Sequence, residues 1–188
     1  MDFTPSRVNY EITNDLVNSP MWPYTGKSKN IFKCPADQAV VKPASGPYAG
    51  QTLPRVRSIS MSQVFGTGEW LPAANWRTYD KLAAITLPTR TFVLVDEHPD
   101  GINDAAFAVQ CQGADNASTA IIMDYPASFH GGACGFAFAD GHSEIHKWRG
   151  SKIKAPVRYK DFVLPLNVPA GDSWLDVNWI AQNTTVPK

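Results

Sequence analysis

The sequence predicts an α+β fold in which an antiparallel sheet carries short helices and long loops. Two runs that alternate like strands flank Asp140-Gly141, and Asp-Gly between such runs is the strongest short-range hairpin signal. The chain also holds 15 prolines, 13 glycines and 6 tryptophans in 188 residues, which is typical of short strands and of loops plugged by aromatic side chains. This length suits one globular domain, 1–188, with a core of its own.

The charge balance and the cysteines restrict the class of protein. Seventeen basic residues match seventeen acidic ones, so we expect no nucleic-acid partner and no general attraction to an anionic membrane. No apolar run reaches about 18 residues, so the sequence predicts no membrane span within this chain. Cys34, Cys111 and Cys134 form no CxxC motif, which excludes a zinc ribbon. One disulfide is compatible with an oxidising compartment, and its pairing stays open.

Alternation and β-branched composition predict the strands outside the hairpin. Residues 55–64 alternate and carry one apolar face, and residues 91–95 (TFVLV) have the composition of a buried strand. The shorter predicted strands are 105–110, 119–123 and 162–166.

Helical segments are predicted in three places. The first is 8–17, and the second is a short turn at 79–85, ahead of Pro88. The third is an amphipathic helix at 172–180, capped by Asp172. Its packing face would consist of Trp174, Leu175 and Trp179.

The hairpin predicts its own register. If Asp140 and Gly141 form a two-residue loop, Ala139 pairs with His142 and each later pair follows in step, because paired residues share a face. The resulting core face is Phe136, Phe138 and Ile145. The opposite face carries His142, Glu144 and His146 above the small residues Gly135, Ala137 and Ala139.

This polar row is a candidate metal site. Residues two apart on a strand lie about 7 Å apart, and two imidazoles with a carboxylate suit zinc or another transition metal. The outer two are about 13 Å apart on a straight strand, so an ion would use two of the row. The remaining ligands would come from His130, Asp96 or His98. The alternative is that the row hydrogen-bonds nearby loops and Trp148.

A second polar cluster follows the strand at 91–95. Its members are Asp96, Glu97, His98, Asp100 and Asp104. Carboxylates at a strand end indicate a calcium or catalytic site. The alternative is a turn-rich loop around Pro99-Asp100-Gly101.

Further candidates lie in the loops. His130 precedes two glycines. It would contact a ligand, or it would bond the backbone or Asp140 and so lock its loop to the hairpin. The catalytic candidates are Asp96, His98, His130 and Glu144. The metal candidates are Asp96, His98, His130, Asp140, His142, Glu144 and His146. Four aromatic residues would line a carbohydrate-binding groove or plug the core: Trp70, Trp76, Tyr79 and Trp148.

The spacing of His130 and Asp140-Gly141 resembles a known signature. A histidine, nine residues and Asp-Gly is similar to the H-X9-DG motif of bacterial pilin-like proteins, the prepilin-type or type II secretion protein G-like family. Other blocks resemble the same family in order, and together they cover 20–150. These blocks are IFKCPAD at 31–37, RSISM at 57–61, FVLVDEHPDGIND at 92–104 and the stretch 129–148.

The resemblance implies a pilin-like head, an antiparallel sheet packed on an N-terminal helix, located in the periplasm or at the cell surface. It also implies partners, namely other pilin-like subunits. The family opens with a leader and a long apolar helix that this sequence does not contain. We therefore expect a soluble head attached to the cytoplasmic membrane only through a helix outside this chain. Residues 151–188 would be a C-terminal extension packing on the head.

Three functions follow as hypotheses. The favoured one is a structural role, as the head of a pilin-like filament or secretion-associated subunit, rather than an enzyme. The second is a metal-assisted hydrolase that uses the His/Asp/Glu cluster with a divalent metal, calcium or zinc. The third is a surface module that binds polysaccharide through exposed aromatic residues.

Overall fold

The structure is a computed structural model that describes residues 16–66, 70–71, 75–159 and 164–188. The predicted helix at 8–17 lies almost wholly outside these residues. The predicted strand at 162–166 lies partly outside them, and its described part, 164–166, is not a strand. A short strand follows instead at Val168–Pro169.

Nine strands and one α-helix are described. The strands are β1 (Val40–Val41), β2 (Leu53–Pro54), β3 (Ile59–Ser62), β4 (Phe92–Asp96), β5 (Ala106–Phe107), β6 (Ile121–Ile122), β7 (Ala133–Phe138), β8 (Ser143–Lys147) and β9 (Val168–Pro169). The helix is α1 (Trp174–Gln182). Short 3-10 helices span Trp22–Thr25, Lys29–Phe32, Leu82–Ala84, Pro88–Arg90 and Gly171–Ser173.

The main sheet has five strands in the order β5-β3-β4-β7-β8. All neighbours are antiparallel except β3 and β5, which run parallel. Two further pairs, β1-β2 and β6-β9, are antiparallel. The sheets are thus mainly antiparallel and accompany one short α-helix, which confirms the predicted α+β class. No helix in the described parts of the chain has the length and apolarity to span a bilayer.

The predicted strand at 91–95 is the centre of the sheet. Its β-branched and aromatic residues suit a strand with neighbours on both sides. The register between β4 and β7 shifts between Phe92 and Leu94. As a result the side chains of Phe92 and Val95 are buried on one face of the sheet. The side chains of Leu94 and Asp96 lie on the opposite face.

An aromatic cluster fills the buried face. The Phe136 ring meets the Phe92 ring at 5.4 Å and the Trp179 ring at 5.1 Å, both edge-on. Edge-to-face contacts of this kind stabilise aromatic pairs beyond the area that they bury. α1 covers this face with Val177 and Ile180, which are both buried.

The prediction for the C-terminal helix needs two corrections. Its buried face includes Val177, Ile180 and Ala181, whereas Leu175 is exposed. Asp172 does not cap it, since its carboxylate accepts the backbone amides of Ser151 (2.6 Å) and Lys152 (3.0 Å) instead. The acidic side chain thus fastens a neighbouring loop to the helix start.

The predicted hairpin register is wrong by one residue. The amide of Phe138 donates to the carbonyl of His142 (2.9 Å), which leaves a three-residue loop, 139–141. Gly141 closes it with φ 94°, a conformation that suits glycine in three-residue hairpin loops. Ile145 therefore pairs with Gly135 and is 78% exposed, rather than belonging to the core.

This slip moves every side chain of β8 to the other face relative to β7. The polar row lies over Cys134, Phe136 and Phe138, not over small residues. His142 stacks on the Phe138 ring at 4.3 Å, and His146 stacks on the Trp179 ring at 3.7 Å. These two histidines pack against aromatic residues of the core.

The other face of the sheet is apolar and open. It forms a groove of about 680 Å³, here called the open groove. Its apolar lining is Ile31, Ile59, Leu94, Ala137 and Ile145. Two of these side chains, Ile31 and Ile145, are exposed at 56% and 78%. The sheet thus has one filled face and one that carries exposed apolar surface.

Candidate functional site

Three potential metal ligands meet at one end of the open groove. They are the side chains of Cys34, Asp96 and His130, and one ligand atom from each lies within 4.8 Å of the other two. We call them the Cys34–Asp96–His130 cluster. Two of the three were metal candidates in the sequence, and Cys34 was not.

Asp96 is delivered by the end of β4. Its Cα pairs with Ile59 of β3, and its carbonyl accepts the amide of Ala127 (2.8 Å). Strand alternation points its side chain to the groove face, together with Leu94. The residue is only 5% exposed, so its carboxylate is held by the sheet in a largely dry position.

Cys34 is held against the same strands by its backbone. It follows the 3-10 helix Lys29–Phe32, and its amide donates to Ser58 Oγ (2.9 Å). The amide of Ser58 in turn donates to the carbonyl of Phe32 (2.9 Å). Pro35 prevents the helix from continuing. The thiol therefore lies beside the sheet although Cys34 is 96 residues from His130 in sequence.

His130 is placed by a tight loop before β7. The loop closes with the amide of Gly132 donating to the carbonyl of Ser128 (3.0 Å), and the amide of Trp148 donates to the carbonyl of Gly132 (2.9 Å). Gly131 and Gly132 both have positive φ, which glycine adopts without strain. The glycines after His130 thus have a conformational role, and they leave the imidazole beside Asp96.

One imidazole nitrogen faces both partners. His130 Nε2 lies 2.9 Å from Asp96 Oδ2 and 3.5 Å from Cys34 Sγ. In a nucleophile–histidine–carboxylate relay, the nucleophile and the carboxylate contact different ring nitrogens. Here they share one nitrogen. The geometry therefore does not form such a relay, and its three donor atoms converge on a common point instead.

Burial shapes the protonation of the cluster. It raises the pKa of Asp96, and the hydrogen bond with His130 opposes this rise. Burial also raises the pKa of Cys34, and the nearby Asp96 adds to it. A raised thiol pKa is the opposite of what a nucleophilic cysteine needs. The raised pKa favours the neutral thiol over the nucleophilic thiolate.

One oxygen of the carboxylate has no hydrogen-bond partner. Asp96 Oδ1 is buried and accepts no hydrogen bond. The Ser58 side chain lowers the pKa of Asp96, but its hydroxyl is not a hydrogen-bond partner of Oδ1. A buried polar atom left unpaired is costly, so a cation or a hydrogen-bond donor beside this oxygen would be stabilising.

The other predicted ligands do not join the cluster. His98 is buried with both nitrogens in use, because Nδ1 accepts the amide of Asp100 (3.1 Å) and Nε2 faces the carbonyl of Ala155 (3.0 Å). Burial lowers the pKa of His98, which favours this neutral form. At the hairpin tip Asp140 pairs with His142 (2.6 Å). The two remaining members of the row, His146 and Glu144, lie 3.9 Å apart.

The acidic residues after β4 have separate roles. Asp100 and Asp104 accept backbone amides, from Arg158 (2.5 Å) and Ala106 (2.7 Å), as expected of a structured loop. Glu97 is fully buried and accepts the Ser60 hydroxyl. Burial raises the pKa of Glu97 well above its ordinary value, and the nearby Asp124 adds to the rise.

The four candidate carbohydrate-binding aromatics do not share a groove. Tyr79 and Trp148 are buried in the core. Trp148 Nε1 also donates to the carbonyl of Ala127 (2.8 Å), which ties it to the loop before His130. Trp70 and Trp76 line different depressions. Tyr79 and Trp148 thus plug the core and Trp76 packs against it, whereas Trp70 is 49% exposed.

Cys34 was missed because no short spacing links it to the other ligands. A signal was nevertheless present, because the three residues belong to three of the blocks on which the family resemblance is based. Cys34 lies in IFKCPAD, Asp96 in FVLVDEHPDGIND and His130 in the block that begins at 129. Blocks that are distant in sequence converge in space at this cluster.

Comparison of the chain with protein-family models, with curated proteins and with solved structures finds no match. The resemblance to the H-X9-DG pilin-like proteins therefore stays a prediction, and the functional argument depends on the cluster and the open groove.

Proposed function

We propose that this domain is the globular head of a pilin-like or pseudopilin-like subunit with a structural role in an extracytoplasmic filament or secretion assembly. The observation that supports this most is the open groove. A sheet with one filled face needs a partner for the other when that face is also apolar. The occupant we propose is an apolar helix that precedes this domain in a longer polypeptide.

The lining of the groove is compatible with a helix as the occupant. The strands that line it are β3, β4, β7 and β8, so an occupant would cross four adjacent strands. Gly135 and Ala137 provide a low floor, and Ile31 and Ile145 form raised apolar sides. Small side chains at a contact allow close approach of a helix backbone. A contiguous exposed apolar surface of this kind usually marks an interaction site.

Partners of the assembled head would be other pilin-like subunits. The balanced formal charge gives the head no strong repulsion between copies. In this proposal the hairpin of β7 and β8 links the filled core, through Phe136, to the groove, through Ile145. The hairpin would thus contact both the core of the domain and the helix in the groove.

The test uses the longer polypeptide, encoded by the complete reading frame, that contains this domain. We expect an apolar helix upstream, and we expect Ile145→Asp to abolish accumulation of the subunit in extracytoplasmic assemblies. Leu82→Asp is the matched control, because Leu82 is 70% exposed and lies outside the groove. An upstream frame without an apolar helix, or equal accumulation of the two variants, would contradict the proposal.

A metal-assisted hydrolase is the second candidate, favoured by the Cys34–Asp96–His130 cluster. Three protein ligands beside an open groove resemble catalytic metal sites, which keep one position for water or substrate. This candidate predicts turnover of an ester, phosphate or glycoside that chelation abolishes. Metal-loaded protein without activity on such panels would exclude it.

A further inference from the structure

We propose that Cys34, Asp96 and His130 bind one zinc ion, which clamps the segment around Cys34 to the end of β4. The donor set is a thiol, a carboxylate and an imidazole. Thiolate and imidazole select zinc over calcium and magnesium, which prefer oxygen ligands alone. The proposal is independent of the helix that we assign to the open groove.

The distances are close to those of a tetrahedral site. Zinc bonds of about 2.3 Å to sulfur and about 2.05 Å to nitrogen put these two ligands about 3.5 Å apart. Cys34 Sγ and His130 Nε2 are 3.5 Å apart. The same reasoning puts nitrogen and oxygen about 3.3 Å apart. His130 Nε2 and Asp96 Oδ2 are 2.9 Å apart, so only a small outward movement is needed.

The unpartnered oxygen of Asp96 is an independent reason for an ion here. Asp96 is nearly completely buried, and its Oδ1 accepts no hydrogen bond. A cation at the convergence point would compensate the buried charge that the carboxylate carries when ionised. The hydrogen bond from the imidazole satisfies only the other oxygen.

An ion can reach the site. Cys34 is partly exposed, and the His130 side chain is 32% exposed, so the cluster opens to solvent at the end of the open groove. Metal binding to a neutral thiol releases its proton to solvent. A water molecule would complete the four ligands, as in zinc sites with three protein ligands.

The ion would link segments that are distant in sequence. Cys34 and His130 are 96 residues apart, and Asp96 and His130 are 34 apart. Closing long loops restricts the unfolded chain, and binding free energy at such a site adds to folding free energy. Zinc would therefore raise the midpoint of thermal unfolding and hold the 3-10 helix Lys29–Phe32 against the sheet.

The test is metal titration of the purified, reduced and chelator-stripped domain. We expect one zinc ion per chain, and with cobalt(II) as a probe we expect the charge-transfer absorption of a metal–thiolate bond. Cys34→Ser should remove this absorption, and Cys34→Ser and His130→Ala should each weaken zinc binding by at least about 100-fold, because even outer-shell changes cost up to that. His142→Ala is the matched control, since this histidine lies at the exposed hairpin tip.

Circular dichroism establishes that each variant is folded before binding is compared. The zinc-dependent rise in the unfolding midpoint should occur in the wild type and in His142→Ala and be absent in Cys34→Ser. Cobalt(II) binding without thiolate absorption, or equal zinc affinity of Cys34→Ser and the wild type, would overturn the proposal. So would weak binding to several sites that all variants share, which is adventitious metal only.

Discussion

Asp96 shows how a single residue serves both the sheet and the candidate site. Its backbone pairs with β3 and receives the amide of Ala127, while its side chain meets His130. The strand composition of 91–95 predicts that this residue ends a buried strand. Its contact with Cys34 depends on how the chain between residues 34 and 96 folds, which no local pattern determines.

At the residue scale, Asp124 should make stability depend on pH. Burial raises the pKa of Asp124 from 3.8 to about 7, and Asp104 adds to the rise. A raised folded-state pKa favours folding below the unfolded value, and this contribution is lost as the pH rises through about 7. Asp124→Asn keeps an acceptor for the amide of Ala108 and cannot ionise.

We expect the wild-type free energy of unfolding to fall by up to about 4 kcal/mol from this group between about pH 4 and about pH 8. The fall should be clearly smaller in Asp124→Asn. Urea unfolding of both proteins across this range measures the difference. Parallel stability profiles would show that Asp124 ionises in the folded state as it does in the unfolded state.

A second residue-scale prediction concerns Gly150. A Cβ at this position would lie 2.1 Å from Ser173 Oγ and 2.4 Å from Ser173 Cα, which is backbone and cannot move aside easily. The amide of Gly150 also donates to Asp176 in α1 (2.8 Å). We expect Gly150→Ala to lower the free energy of unfolding by about 3 kcal/mol or more. Denaturant unfolding measures it.

Gly135→Ala is the matched control for this substitution. Nothing lies within 4 Å of a Cβ there, and the residue is in a strand on the groove side. Its effect should stay within about 0.5 kcal/mol. Equal losses of unfolding free energy in the two alanine variants would mean that Gly150 does not pack closely against Ser173.

At the element scale, the β7-β8 hairpin shows what the sequence could predict and what it could not. Its existence and its turn position follow from Asp140-Gly141 and the alternating runs, and both are confirmed. The loop length does not follow, because Asp-Gly suits both two-residue and three-residue loops. Phe136 and Phe138 share a face in either register. The faces taken by Ile145 and by the row of His142, Glu144 and His146 do depend on the difference.

The register predicts the cost of changing Ile145. Because this side chain is largely exposed, Ile145→Lys should change the free energy of unfolding of the domain by less than about 0.5 kcal/mol. Phe136→Ala, on the filled face, should cost about 3–5 kcal/mol. Denaturant unfolding of both variants measures this. A loss of more than about 2 kcal/mol in Ile145→Lys would support the two-residue loop instead.

At the scale of the whole molecule, sequence patterns predict classes of element better than their arrangement. The strands at 55–64 and 91–95 are present as β3 and β4, although β3 is shorter. The parallel pairing of β5 with β3 was not predicted, since short strands carry little information about their partners. The open groove was not predicted either, because its lining combines four strands with the 3-10 helix Lys29–Phe32, the segment after it and the loop that carries His130.

The candidate site has the same dependence on long-range structure. The sequence indicated Asp96 and His130 separately, and it gave His142, Glu144 and His146 equal standing. The structure brings the first two together with Cys34 and stacks two of the other three on aromatic rings. The regular spacing of histidines on β8 thus reflects packing against aromatic rings. The Cys34–Asp96–His130 cluster instead forms because three distant blocks of sequence converge.

The most direct test of the proposed function is thiol labelling at the groove. Ile145→Cys is placed in the isolated domain and in a longer polypeptide that includes the proposed upstream helix, with Leu82→Cys as the control. Modification is read at each site by mass spectrometry. We expect Ile145→Cys to react at least about tenfold more slowly in the longer polypeptide, because labelling then requires local opening. Leu82→Cys should react equally in both. Equal reactivity of Ile145→Cys in the two proteins would contradict a helix seated in the open groove.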